Sequence, residues 1–182
     1  MAYVLDLHRP VAGDVIELIL ADHRLFEELL RALRDSSSDR DAVRTALATV
    51  LVAHAEAEEK FVYPKLRKRG AVGEHEAEHG EEEHAEGHEA LLKVLELKGT
   101  DTQAFTDAVE ELSGTINHHV AEEELTILNP ARDEVGPQVR AALGQEFLEE
   151  RQRQIDANCG TLTNVRELVA RARRQGKLDD DD

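Results

Sequence analysis

The sequence predicts an all-α fold, and three observations predict it. Aromatic residues are 3% of the 182 and charged residues 34%, with no Trp and few strand signals, a balance that favours helix. Apolar residues recur at three- and four-residue spacing through four long segments. One set of residues also repeats at a fixed offset. His23, His54 and Glu58 return 65 positions later as His88, His119 and Glu123. Leu47, Leu51, Glu59, Val62, Phe26 and Leu30 return at that offset as Leu112, Ile116, Glu124, Ile127, Leu91 and Leu95. The chain therefore reads as a duplicated helical hairpin whose halves pack about a pseudo-two-fold axis.

After a lead-in over residues 1–13, the first helix is expected from about Gly13 to Leu33, with Ile16, Leu20, His23, Phe26 and Leu30 on one stripe. The Asp35-Ser36-Ser37-Ser38 turn ends it. A second helix follows Asp39, carries Val43, Leu47, Leu51, His54, Glu58 and Phe61, and ends or kinks at Pro64. The third spans roughly Glu74 to Lys98, stopped by Gly99, with Asp101 as the cap of the next. Leu91, Leu92 and Leu95 set its inward side. Stepping back by three and four puts His88 and His84 there and leaves His75 and His79 out of phase. The fourth carries Phe105, Val109, Leu112, Ile116, His119 and Glu123 inward, turns His118 sideways, and closes near Asn129-Pro130. Residues 133–176 form a helical extension split at Asn158-Cys159-Gly160, covering the bundle or forming an oligomer contact, and residues 177–182 an acidic tail.

Charge and cysteine usage narrow the function. A formal charge of −17 repels nucleic acid and anionic lipid, so neither is expected as a partner, whereas cations are. The lone Cys159 rules out a disulfide framework within the chain and reads as a half-buried packing residue in a reducing compartment. No segment approaches the roughly 20 apolar residues of a membrane span or the core of a signal peptide, which places the protein in the cytoplasm.

His54 and Glu58 stand four apart, as do His119 and Glu123, so each pair shares one helix face about 40° apart around the axis. Five His and two Glu on core-facing stripes would make a poor core, because a buried imidazole or carboxylate without a partner costs several kcal/mol. A pair of transition-metal ions removes the objection: imidazole suits iron, zinc, copper and nickel, and a carboxylate bridges two ions. Without thiolate ligands, a structural zinc site is disfavoured. The run from Glu74 to Glu89 reads as a solvated acidic face, and His8, His75, His79 and His118 receive no role.

His23, then His54-Ala-Glu-Ala-Glu58-Glu59 running to Tyr63-Pro64, His84-Ala-Glu-Gly-His88, and His118-His119-Val-Ala-Glu-Glu123-Glu124 together resemble the hemerythrin-like, or HHE cation-binding, domain, over residues 14–132. The resemblance implies an up-down-up-down four-helix bundle around two iron ions, a non-haem di-iron centre bridged by two carboxylates and a solvent oxygen. On that reading His84, His88 and His119 fill one iron, His23 and His54 bind the other and leave a position open, and Glu58 and Glu123 bridge. His84, whose offset partner is Ile19, then makes the irons unequal. Oxygen-carrying members have an aspartate five residues after the last His; here Glu123 lies at four and Glu124 at five, and both are candidates for the second bridge. The longer C-terminal extension is similar to that of bacterial relatives.

Three functions fit such a centre: binding or sensing of a small gas or oxidant (dioxygen, nitric oxide or peroxide), peroxide consumption by a catalase-like enzyme with Tyr63 as a proton donor, and storage or buffering of iron or another metal. Ferritin-like oxidases are excluded, because their Glu-x-x-His spacing falls only on the third helix. No Ser or Cys constellation supports nucleophilic catalysis.

Overall fold

In the computed structural model, which describes residues 12–179, all regular structure among the described residues is helical. His8 and the end of the acidic tail lie outside them. Helix α1 (Val15–Arg34) starts where Asp14 accepts a hydrogen bond from the Ile16 N–H at 3.0 Å. Helices α2 (residues 40–68), α3 (Glu74–Glu96), α4 (residues 103–134), α5 (Pro137–Asp156) and α6 (Leu162–Arg174) follow.

Helix α1 packs on α2, α2 on α3, α3 on α4, and α4 back on α1, which closes a four-helix bundle. The extension covers it: α5 lies on α1 and α2, and α6 on α3. Ion pairs explain the second contact. Arg166, Arg173 and Lys177 reach Glu96, Glu89 and Glu81 of α3 at 2.9, 2.7 and 2.7 Å, and Arg171 reaches Glu56 of α2 at 2.8 Å. The acidic stretch of α3 is thus partly covered, not wholly solvated as its composition suggests.

Two helices run past the prolines expected to kink the one and close the other. Each contains a π-turn directly at its Glu-Glu pair, Glu58–Val62 in α2 and Glu124–Leu128 in α4. There the Tyr63 N–H bonds back to the Glu58 carbonyl and the Asn129 N–H to that of Glu124. Pro64 and Pro130 sit just beyond, in the first turn of the resumed α-helix, where a missing N–H costs little. The α4 cap is Thr102, which accepts from the Phe105 N–H at 3.1 Å; Asp101 instead pairs with Arg40 at 3.2 Å.

The core divides in two. One apolar cluster gathers Phe26, Leu30, Leu47, Leu91, Phe105 and Leu112; the other gathers Ile16, Ile19, Val62, Leu66, Ile127 and Phe147. Between them lies a buried layer of His23, His54, Glu58, His84, His119 and Glu123, none more than 6% exposed.

Candidate metal centre

Four helices each place one imidazole in this layer, and α2 and α4 add a carboxylate one turn further on. Ring positions sort the imidazoles into two close pairs, His84 with His119 at 4.5 Å between centroids and His23 with His54 at 5.4 Å. Each carboxylate meets one member of each pair. Glu58 Oε2 lies 3.2 Å from both His54 Nε2 and His84 Nε2. Glu123 Oε2 lies 3.1 Å from His23 Nε2 and 3.8 Å from His119 Nε2. Three overlapping groups result, His23–His54–Glu123, His54–Glu58–His84 and Glu58–His119–Glu123, each with ligand atoms within 4.8 Å of one another.

Orphaned polar atoms test whether a metal fits. The Nε2 atoms of His23, His54, His84 and His119, with Glu58 Oε1 and Glu123 Oε2, are buried without a hydrogen bond of acceptable geometry, close as some of these contacts are. Six such atoms converging on one layer would cost far more than a domain tolerates unless cations took their lone pairs.

The opposite ring nitrogens are all engaged. His23 Nδ1 donates to Glu124 at 2.9 Å, His54 Nδ1 to Asp22 at 3.2 Å, His84 Nδ1 to Glu59 at 3.0 Å and His119 Nδ1 to Glu83 at 3.0 Å. Because a carboxylate only accepts, each Nδ1 carries the hydrogen and each Nε2 is directed to the centre, the arrangement that orients metal-binding histidines. Sequence reasoning gave none of these four carboxylates this orienting role, although their signal was present. Asp22 and Glu83 immediately precede His23 and His84, and Glu59 and Glu124 immediately follow Glu58 and Glu123.

Those contacts also correct the repeat. His23 meets Glu123 and Glu124, and His84 meets Glu58 and Glu59, so the axis relates His23 to His84 and Asp22 to Glu83, 61 positions apart. The 65-residue offset holds for α2 and α4 but slips by one turn for α1 and α3. Leu91 answers Leu30 rather than Phe26, and the unpaired histidine is His88, not His84. His88 is buried at 8% exposure but stands outside all three groups. Glu123 enters the layer, and Glu124 supports His23 from a side chain 43% exposed. His75, His79 and His118 are exposed, as phase requires.

The charges follow from this packing. Burial opposes protonation of His54 and His84, yet Glu58 and Asp22 lift His54 to about 9, and Glu58 and Glu59 lift His84 to about 10. Burial would raise Glu58, but the two imidazoles hold it well below the ordinary carboxylate range. Burial, then the charge on His84, drives His88 down to about 4. A group whose pKa rises on folding adds stability below its unfolded value and loses it as pH climbs through its folded one. For His54 and His84 that window runs from 6.5 to about 9–10, so the chelated protein is expected to melt at falling temperature across it. A flat or rising melting temperature there would refute the charge assignment.

Tyr63 closes one side. Its hydroxyl donates to Glu123 Oε1 at 2.9 Å, and its ring stacks on His84 at 5.7 Å and 8°. Gly80 makes room, since a Cβ there would stand 3.0 Å from that hydroxyl. Opposite, Phe26, Leu51, Gly87, Ile116, His54, His84, His88 and His119 line a cavity of about 20 Å³.

A helical bundle with a buried His-and-carboxylate layer defines a cation-binding protein. The hemerythrin HHE cation-binding domain profile matches residues 14–130, and the chain belongs to that family. It is 30% identical over 113 residues to an uncharacterized hemerythrin-like protein of Schizosaccharomyces pombe, covering 60% of this chain and 55% of that one. It is 26% identical over 137 residues to a DNA nickase of Nostoc sp., covering 74% of this chain and 38% of that one. The chain thus spans roughly half or less of the length of these curated relatives. No solved structure matches it significantly. No helix among the described residues is long and apolar enough to cross a membrane.

Proposed function

We propose that the protein is a non-haem di-iron protein that binds a small gas or oxidant (dioxygen, nitric oxide or peroxide) beside its metal pair. On this reading His84 and His119, with His88 after a change of rotamer, hold one iron, His23 and His54 hold the other, and Glu58 and Glu123 bridge. The observation that carries it is the cavity of about 20 Å³ against His54, His84 and His119, large enough for about one water-sized molecule. Two bound irons would supply an open coordination position and electrons; the chain supplies the rest. Phe26, Leu51 and Ile116 make the cavity wall apolar, which disfavours water.

A second reading, peroxide consumption, is favoured by the Tyr63 hydroxyl, which holds a proton 2.9 Å from Glu123 Oε1. Anaerobic loading with ferrous iron, desalting and titration with each of the three ligands separates the readings. Two irons per chain with a stoichiometric change in visible absorbance is the expected result. Catalytic loss of peroxide would establish the enzyme. Two irons inert to all three ligands would point to storage, and no retained iron would sink the di-iron assignment.

A further inference from the structure

We propose that Arg151, in the C-terminal extension, is a positioning residue of the metal centre that couples the docking of α5 to metal affinity at the His23–His54 position. Arg151 is 1% exposed and grips Asp22 with two hydrogen bonds, Nε to Oδ2 at 2.8 Å and Nη2 to Oδ1 at 3.0 Å. This planar fork fixes the carboxylate in angle as well as distance, which a lysine ammonium does not. Asp22 Oδ2 in turn accepts from His54 Nδ1 at 3.2 Å, and His54 Nε2 is one of the atoms directed to the centre without a partner. One turn earlier on α5, Phe147 meets the same imidazole edge-on at 5.8 Å and 89°. A single helix of the extension therefore sets both the ring face and the ring hydrogen bond of His54.

Among the described residues, the other half of the bundle lacks this device. Glu83, which the axis relates to Asp22, faces His118 at 3.3 Å and His79 at 3.6 Å, side chains 64% and 48% exposed. The cations of α6, and Lys177 just beyond it, pair with Glu96, Glu89, Glu56 and Glu81. The extension thus fixes the orienting carboxylate of His54 from a buried arginine, whereas its counterpart Glu83 meets exposed imidazoles, so the two positions are inequivalent beyond their ligand count. Arg151 lies outside residues 14–130, which the family profile matches. Coupling is reciprocal: if α5 orients His54 for metal, metal on His54 holds α5 in place.

This inference rests on the two-metal reading and not on which small ligand binds. The test uses the full chain as wild type, Arg151→Lys, and the double variant Asp22→Asn with Arg151→Gln, whose neutral pair avoids a buried lone charge. Anaerobic ferrous iron is titrated against a competing chelator, and amide exchange over residues 137–156 is followed with and without iron. The expected result is a loss of roughly 10- to 100-fold in affinity for one equivalent, the other unchanged, in both variants. Iron should slow exchange over residues 137–156 in the wild type and do so less in Arg151→Lys. Wild-type affinity in the variants, equal weakening of both equivalents, or α5 exchange indifferent to iron in the wild type would each overturn the coupling. A wild-type chain that binds fewer than two irons sinks the two-metal reading instead, and this inference with it.

Discussion

Glu58→Ala is expected to empty the metal centre, whereas Glu59→Ala leaves most of the metal in place. The two carboxylates are neighbours in sequence and differ only in where the helix directs them. Glu58 is fully buried, and its Oε2 stands 3.2 Å from one imidazole of each pair. Its loss therefore removes a donor shared by both positions and the counter-charge of His54 and His84. Breaking a buried pair from one side costs about 3–5 kcal/mol, so the chelated variant should also melt well below the chelated wild type. Glu59 touches only the far nitrogen of His84, and outer partners of this kind change affinity by roughly 10- to 100-fold. His119→Ala and His118→Ala should divide in the same way, with only the first losing metal. Elemental analysis after desalting decides the matter, and equal losses within either pair would defeat the phase argument.

On the proposed di-iron reading, Gly87→Leu is expected to keep the metal, raise the melting temperature and block the small ligand. Gly87 lies on α3 between His84 and His88, in mid-helix, where glycine is about 1 kcal/mol worse than alanine. It lines the cavity, and a Cβ built there meets no atom within 4 Å. The pseudo-two-fold axis explains the space. The residue 61 positions earlier is Phe26, whose ring packs against His54 at 4.9 Å, so one half fills the place that the other leaves open. A leucine side chain would project from a position with room for its Cβ into a cavity of about 20 Å³. Optical titration with dioxygen, nitric oxide or peroxide should then show binding at least tenfold weaker at unchanged iron content. Unaltered binding would move the ligand site elsewhere.

The helix phases, and the burial of the six side chains that meet in the polar layer, were legible in the sequence because burial on a helix has a period, and the period is local. Three-four spacing alone distinguishes His119 from His118 and His84 from His79. What escaped depends on contacts between helices. A repeat slipped by four residues is nearly one turn, so His88 and His84 are equivalent candidates for the partner of His23 in any reading by phase; only the meeting of His84 with Glu58 and Glu59 separates them. The π-turns escaped because a proline after an apolar run ordinarily marks an end. Arg151 escaped because nothing in its own segment shows that it pairs with a residue 129 positions away. Glu83 fell within the acidic run read as a solvated face, and Glu59 and Glu124 stood beside the proposed bridges without an orienting role, since a sequence does not show which acid meets the far nitrogen of an imidazole on another helix.

The ionisable layer between the two apolar clusters has a consequence for how the molecule holds together. Ordinary domains of this size fold around one continuous core, and burial at one end reinforces burial at the other. Here that continuity is interrupted at mid-height by side chains that attract one another only through charge. Each bundle helix runs through both clusters, so the ends stay joined by backbone, but side-chain cooperativity must cross the polar layer. Cations seated there would act as rivets, drawing four helices to common points and making two half-cores unfold as one. Metal would then set the cooperativity of the fold as well as its chemistry, and an ion-poor chain would be looser through its middle than at either end.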